Sequence, residues 1–391
     1  VTATQSAGTQ LTDTQRQIQE LAREFASEHL APHAAEWDAR HHFPREQIQK
    51  LGELGFLGML VPERYDGLGL DTVTYLLALE EIAAADGATA VTVGVHNSLP
   101  AMMLLRWGTE QQKERWVRPM ARGELLGAFA LSEPEAGSDA AGLRTQAVRR
   151  GDKWVLNGAK AWVTNGGTAD VVVAMARTDA EGSRRGAKGI GAFIVPTAAG
   201  GYVVGKAEDK MGLRSSNTTA VYFQDLELPA DHLLGEEHLG LVYALSALDG
   251  GRLGVGAQAC GIARSALEHA TRYARQRHQF GHAIAEYQAV QFKLADMATE
   301  LAASRALLFE AARRKDAGED VTTWSSMAKL HAGEMVMRVT SDAVQIFGGY
   351  GYMRDYPVER LMRDAKVITI YEGTSEIQRL IIARELLKST T

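Results

Sequence analysis

The chain has 391 residues, 46% of them hydrophobic and 23% charged, which excludes a disordered protein and predicts a soluble, folded one. That length exceeds what one compact core accommodates, so two or three domains are expected. A formal net charge of -6 argues against a nucleic-acid partner. Cys260 is the only cysteine, which excludes an intrachain disulfide and suits a reducing compartment. It lies in a small-residue helical run, Gly254 to Ser265, and is expected to be a packed, inert core thiol. The first residues, Val-Thr-Ala-Thr-Gln-Ser-Ala-Gly, lack a basic patch followed by an apolar core, and no stretch is apolar enough to predict stable membrane insertion. A cytoplasmic protein is therefore expected.

Helical signals fill the first third. Thr12 and Gln15 have capping-box spacing, followed by an apolar stripe at Ile18, Leu21 and Phe25. Pro32 is expected near the end of that helix. Leu51 to Leu60 predicts a short helix, Pro62 and the glycines of Tyr65-Asp-Gly-Leu-Gly-Leu70 a loop. Thr72 to Ala85, Ala101 to Trp107 and Gln111 to Met120 return to helical composition. One helical domain, residues 1–125, accounts for these.

Residues 126–240 change period. Lys153-Trp-Val-Leu precedes Asn157-Gly158, and Ala161-Trp-Val-Thr precedes Asn165-Gly166, each pair a hairpin or turn signal. Val171 to Ala174, Gly191 to Val195 and Val221 to Phe223 add short strands. Short strands separated by turn residues predict a small antiparallel β-barrel or sandwich domain. No glycine-rich fingerprint opens a βαβ unit, so a Rossmann fold is not expected.

Residues 241–391 are helical again. Val290, Leu294, Met297 and Leu301 form a stripe on a long helix, with further segments at Leu267 to Arg275, Met327 to Phe347 and Ile377 to Leu387. A four-helix-bundle-like domain is expected, giving an α+β chain overall.

Several separated motifs carry a resemblance. They are Ala130-Leu-Ser-Glu-Pro-Glu-Ala-Gly-Ser-Asp139, Asn157-Gly-Ala-Lys-Ala-Trp-Val-Thr-Asn165, Lys210-Met-Gly-Leu-Arg-Ser-Ser216 and Arg277-His-Gln-Phe-Gly281. Gln345-Ile-Phe-Gly-Gly-Tyr-Gly-Tyr352 and Ile370-Tyr-Glu-Gly-Thr-Ser-Glu-Ile-Gln-Arg379 complete the set. Their content and order resemble the acyl-CoA dehydrogenase family over nearly the whole chain, most like its short-chain branch. The resemblance implies FAD as cofactor and no metal, an acyl-CoA substrate, electron-transfer flavoprotein as electron acceptor, and a homotetramer.

Site residues follow from the same resemblance. It implies Glu372 as the catalytic base that removes the α-proton of the thioester. Phe129, Leu131 and Ser132 would wall the isoalloxazine, with Trp162 beside it and Thr164 near its reactive nitrogen. Trp162 filling the β-domain and Thr164 ending a strand are the plain structural alternatives. Arg277, Gln279 and Phe280 would meet the FAD pyrophosphate and adenosine, an arginine offering the charge-assisted donors a pyrophosphate needs. Gln345, Gly348 and Gly349 would approach from another subunit. Thr374 and Glu376 occupy cofactor-contact positions, although the family commonly has an amide at the latter. Ser138, Asp249 and Arg252 are implied CoA contacts, against a turn serine and a helix-start ion pair as alternatives. Gly251 stands where the isovaleryl-like branch carries its base, and having no side chain it cannot serve.

The expected reaction is α,β-dehydrogenation of a short- or medium-chain acyl-CoA to the trans-2-enoyl-CoA. Branched, aromatic or dicarboxylic thioesters remain alternatives, as do an acyl-CoA oxidase and a non-enzymatic scaffold of the same fold. A serine hydrolase built on Ser138 lacks a Gly-x-Ser-x-Gly elbow and a histidine relay.

Overall fold

A computed structural model describes residues 11–179 and 188–388. The first eight residues, from which targeting was read, lie outside that range. The chain opens with α1 (Asp13–Phe25), whose Thr12/Gln15 capping box is formed at both ends, and a π-helical turn carries it on to Leu30. Next come α2 (Ala34–Arg40), α3 (Arg45–Glu53), α4 (Thr72–Ala85), α5 (Gly87–Ser98) and α6 (Pro100–Trp107). The short turns α7 (Glu110–Gln112) and α8 (Arg118–Ala121) complete this part. The helix expected over Leu51 to Leu60 ends at Glu53, and the chain then passes through turns in which Gly55 has φ 84°. A left-handed residue of that kind stops a helix.

By length and apolar composition Gly87–Trp107 could cross a membrane, contrary to the expectation that no segment could. It is two helices, α5 and α6, broken at Leu99, and 89% of its most apolar window is buried inside the fold.

The central strands are β1 (Gly127–Ala130), β2 (Gln146–Arg150), β3 (Lys153–Thr164), β4 (Val171–Arg177), β5 (Ile190–Pro196), β6 (Tyr202–Ala207), β7 (Thr218–Pro229) and β8 (Leu233–Leu234). They form one sheet in the order β6-β7-β3-β2-β4-β5-β8, with β1 added against β4. Most pairs are antiparallel as expected, but β4 runs parallel to β1 and, through Arg177, to Gln146 at the start of β2, so the sheet is mixed. Asn165-Gly166 begins a turn after β3. Asn157-Gly158 does not make one: it lies inside β3 at a register shift opposite β7. Gly158 takes φ 152° there, and a Cβ on it would come 2.4 Å from the Thr145 hydroxyl. The dipeptide therefore marks a β-bulge, the other context that favours glycine.

The long helices are α9 (Gly240–Gln276), α10 (Gln288–Asp316) and α11 (Thr322–Phe347), followed by α12 (Pro357–Lys366) and α13 (Ser375–Lys388). Between α9 and α10 lies a two-stranded hairpin, β9 (His278–Gln279) and β10 (His282–Ala283). One apolar core joins α1, α4, α9, α10 and α11, and takes in the fully buried Cys260. Charged groups also cross it. Glu80 and Glu81 of α4 pair with Arg264 of α9 and Arg305 of α10, all four at most 6% exposed. Removing one member of such a set would strand buried charge, so it fixes α4 against α9. To the sheet, α5 is tied by His96, whose Nδ1 accepts the Gly127 amide at 3.0 Å. Burial lowers that imidazole to about 4, which keeps it neutral and able to accept.

Candidate active site

Glu372 sits in the short link between the turn at Val367–Thr369 and α13, with left-handed φ values at Glu372 (51°) and Gly373 (92°). That backbone costs a non-glycine residue about 1–2 kcal/mol. Two buried side chains hold it in place: Lys329 Nζ of α11 donates to the Gly373 carbonyl at 2.7 Å, and Gln378 Nε2 donates to the carbonyls of Glu372 and Gly373 at 3.2 and 2.9 Å. Thr374 caps α13 through the Ile377 amide at 3.3 Å. Glu372 is thereby released from the capping role that a carboxylate before a helix often plays.

The Glu372 carboxylate lies on α9 directly over Gly251. A Cβ at Gly251 would come 2.1 Å from Oε2, so any side chain there would push the carboxylate out of this position. As a residue Glu372 is half-buried, yet Oε2 is shut off from solvent and has no hydrogen-bond partner among the described residues. Burial raises its pKa to about 7, opposed by the positive charges of Lys329 and Arg252. Lys329 is itself lowered to about 8 by burial, with Glu372 pulling the other way. A carboxyl poised near neutrality, with one oxygen free, can accept a proton from a bound molecule.

Asp249 and Arg252 are joined by a 2.6 Å ion pair on α9. Asp249 also accepts the hydroxyls of Thr322 and Ser325. An ion pair is therefore present, but it lies inside α9 rather than at its start, and it flanks Gly251, against which the Glu372 carboxylate lies. Ser138 is exposed in the loop after β1.

The flavin-wall residues gather around the sheet. Lys160 of β3, wholly buried, donates to the Leu131 carbonyl at 3.2 Å and to Glu133 at 2.7 Å. Glu133 also accepts the amides of Arg144 and Thr145, and the Ala161 amide donates to the Ser132 carbonyl at 2.9 Å. These bonds fix the Leu131–Ser132 backbone. A second register shift in β3, between Lys160 and Val163, gives Trp162 φ 55° and leaves its side chain 59% exposed. Trp162 does not fill the β-domain; its indole stands outward as an open face. Thr164, the last residue of β3, and Phe129 in β1 are half-buried.

The dinucleotide-end residues form a separate, exposed patch. Phe280 (φ 52°, 93% exposed) and Gly281 (φ 84°) occupy the tip of the β9–β10 hairpin, a conformation that positive φ at both central residues produces. Arg277, which caps α9, and Gln279 are exposed beside them. Gln345 is exposed at the end of α11, and a Cβ on Gly348 or Gly349 would touch nothing within 4 Å, so another backbone can approach. The Arg277 guanidinium lies 5.6 Å over the Tyr350 ring of the same chain. Arg277 and the 345–349 segment are thus one surface of one protomer, not halves from two. Glu376 is exposed and faces Arg379 at 3.9 Å.

Three residue groups escaped sequence reading: Lys329 with Gln378, the Lys160–Glu133 pair, and Tyr75 of α4. Lys329 left one signal, a lysine on the face of α11 that Ser325, Ala328, Ala332 and Val336 bury.

Models of the acyl-CoA dehydrogenase N-terminal, middle and C-terminal domains match residues 12–124, 128–226 and 238–387. The chain belongs to the acyl-CoA dehydrogenase family. It is 46% identical to the rat short-chain specific acyl-CoA dehydrogenase over 97% of this chain and 92% of that one. Butyryl-CoA dehydrogenase from Megasphaera elsdenii superposes with a TM-score of 0.95 at 44% identity, covering 97% and 100% of the two chains. A chain from a structure concerning the electron transferring flavoprotein of Acidaminococcus fermentans matches with TM-score 0.95 and 46% identity, over 97% and 99%. Membership makes this acyl-CoA dehydrogenase an FAD-dependent oxidoreductase. The cytoplasmic expectation is corrected by the same comparison, because the rat, mouse, bovine and human relatives are named as mitochondrial. A lone cysteine reports reducing conditions, and these do not single out one compartment.

The residues present fit a flavin. An open indole face, the half-buried Thr164 hydroxyl and the fixed Leu131–Ser132 backbone suit the ring system, and an exposed arginine beside open glycines suits a pyrophosphate.

Proposed function

We propose that Glu372 is the base in α,β-dehydrogenation of a short- or medium-chain acyl-CoA. The observation that carries this is the unpartnered, solvent-shielded Oε2 over Gly251. The Cα–H of the thioester would meet Oε2, and the proton would pass to the carboxylate, which burial has already made basic enough to hold it. Lys329 and Arg252 keep the carboxylate ionised often enough to act. The left-handed Glu372–Gly373 link, pinned by Lys329 and Gln378, fixes the direction of attack. Bound FAD would supply the hydride acceptor, held by Phe129, Leu131, Ser132, Trp162 and Thr164 at its ring. The likeness to butyryl-CoA and short-chain dehydrogenases supports the chain length, and the match concerning an electron transferring flavoprotein supports that class of protein as electron acceptor.

A homotetramer built from dimers belongs to the same proposal. About 25 residues of α9 separate Gly251 from Gln276, placing the Arg277 patch about 37 Å from Glu372 along the axis. One dinucleotide does not span that distance. Arg277, Gln279, Phe280, Gln345, Gly348 and Gly349 of one protomer would therefore serve the ring site of its neighbour. The test is direct: the purified protein should be yellow, release FAD on denaturation, and bleach anaerobically with butyryl-CoA. Absence of flavin from an active preparation would end the proposal.

A further inference from the structure

The space beside Glu372 is closed by a residue from a third helix. Helices α5 and α9 run antiparallel: the Ser98 carbonyl lies 4.0 Å from where a Cβ on Gly250 would stand, and Gln258 Nε2 donates to the Gly87 carbonyl at 2.7 Å. Between those ends both helices present glycines, Gly94 on α5 and Gly251 and Gly254 on α9. The Glu372 carboxylate takes the space over Gly251. Tyr75 of α4 takes the next one. Its hydroxyl lies 3.0 Å from a Cβ built on Gly254 and 3.8 Å from one on Gly94, and donates to the Gly94 carbonyl at 3.4 Å. Leu79, one turn along α4, lies 3.5 Å from both built Cβ positions. Both side chains are 1% exposed, and the Glu80/Glu81 ion pairs keep α4 from withdrawing.

We propose that Tyr75 sets the acyl-chain length, an inference that rests on Glu372 being the base. The apolar tail of a thioester whose α-carbon lies beside Glu372 Oε2 has two ways to go. Toward Asp249, Arg252 and Lys329 it would desolvate charge. Toward Gly254 and Gly94 it meets bare helix backbone, an aromatic ring and leucine methyls. Gly251 and Gly254 are one turn apart, so the phenol stops the tail about 5 Å further along α9. A butyryl group fits, and a longer chain meets the ring.

The test compares anaerobic flavin reduction by butyryl-, hexanoyl- and octanoyl-CoA in wild type, Y75F, Y75A and Y75L. Wild type and Y75F should favour butyryl-CoA alike, because the ring forms the wall. Y75A and Y75L should raise the octanoyl-to-butyryl ratio of kcat/KM about tenfold or more, the scale on which a pocket discriminates methylenes. Calorimetric binding of the two thioesters should shift the same way. If Y75A fails to fold, the milder Y75L decides. An unchanged ratio in folded, FAD-loaded Y75L overturns the role of Tyr75 and leaves the dehydrogenase reading intact. A wild type that no thioester reduces overturns both.

Discussion

Glu372 and Lys329 define the pH behaviour. The carboxyl is raised to about 7, so it is protonated below that value and cannot accept the α-proton. The kcat/KM of flavin reduction should therefore climb as pH rises through about 7 and level off above it. Replacing Lys329 with methionine removes a positive charge that favours the ionised form. The rising limb of K329M should move to higher pH, measured by stopped-flow reduction between pH 5.5 and 9; an unmoved limb would separate Lys329 from the titration. At Gly251 the geometry is stricter. G251A places a methyl 2.1 Å from where Oε2 now lies, so flavin reduction should fall by at least tenfold in a protein that still holds FAD.

Among the elements, β3 carries the flavin wall through Lys160. Its ammonium, lowered to about 8 by burial despite Glu133, is the sole cation paired with that carboxylate among the described residues. K160M leaves the buried Glu133 carboxylate with its two backbone amide donors but no countercharge, a change that typically costs about 3–5 kcal/mol, and frees the Leu131 carbonyl. FAD should dissociate more readily, read as free flavin after gel filtration, with the loss exceeding that of K160R. Equal retention by K160M would mean that the Leu131 segment is held without it. Composition revealed α4 and an apolar stripe revealed α10, because both signals are local in sequence. The Asn157-Gly158 bulge was misread because a left-handed or open φ serves a turn and a bulge alike, and only the partner strand β7 distinguishes them. Glu372 was legible through its motif, whereas Lys329, Gln378 and Tyr75 act through contacts that join residues far apart in the chain.

At the scale of the whole molecule, the proposed sharing of the FAD site between protomers rests on the separation of the Arg277 patch from Glu372. R277A removes a charge-assisted donor worth about 1.5–3 kcal/mol, so FAD affinity should fall by roughly ten- to a hundredfold while Glu372 is untouched. Light scattering of the active enzyme should give a tetramer; a monomer with full FAD occupancy would refute the shared site. Sequence patterning revealed neither the coherence of this patch nor its distance from the base, since both depend on the unbroken length of α9 and on Tyr350 folding back over Arg277.

The role of Glu372 is tested most directly by rapid mixing of the E372Q protein with saturating butyryl-CoA. Glutamine keeps the volume over Gly251 but cannot take the proton. The account predicts a tetramer that retains FAD and binds the thioester, with flavin reduction slowed by about 10² to 10⁴ and α-proton exchange lost to a similar degree. Near-normal reduction by folded, FAD-loaded E372Q would place the base elsewhere and contradict the assignment.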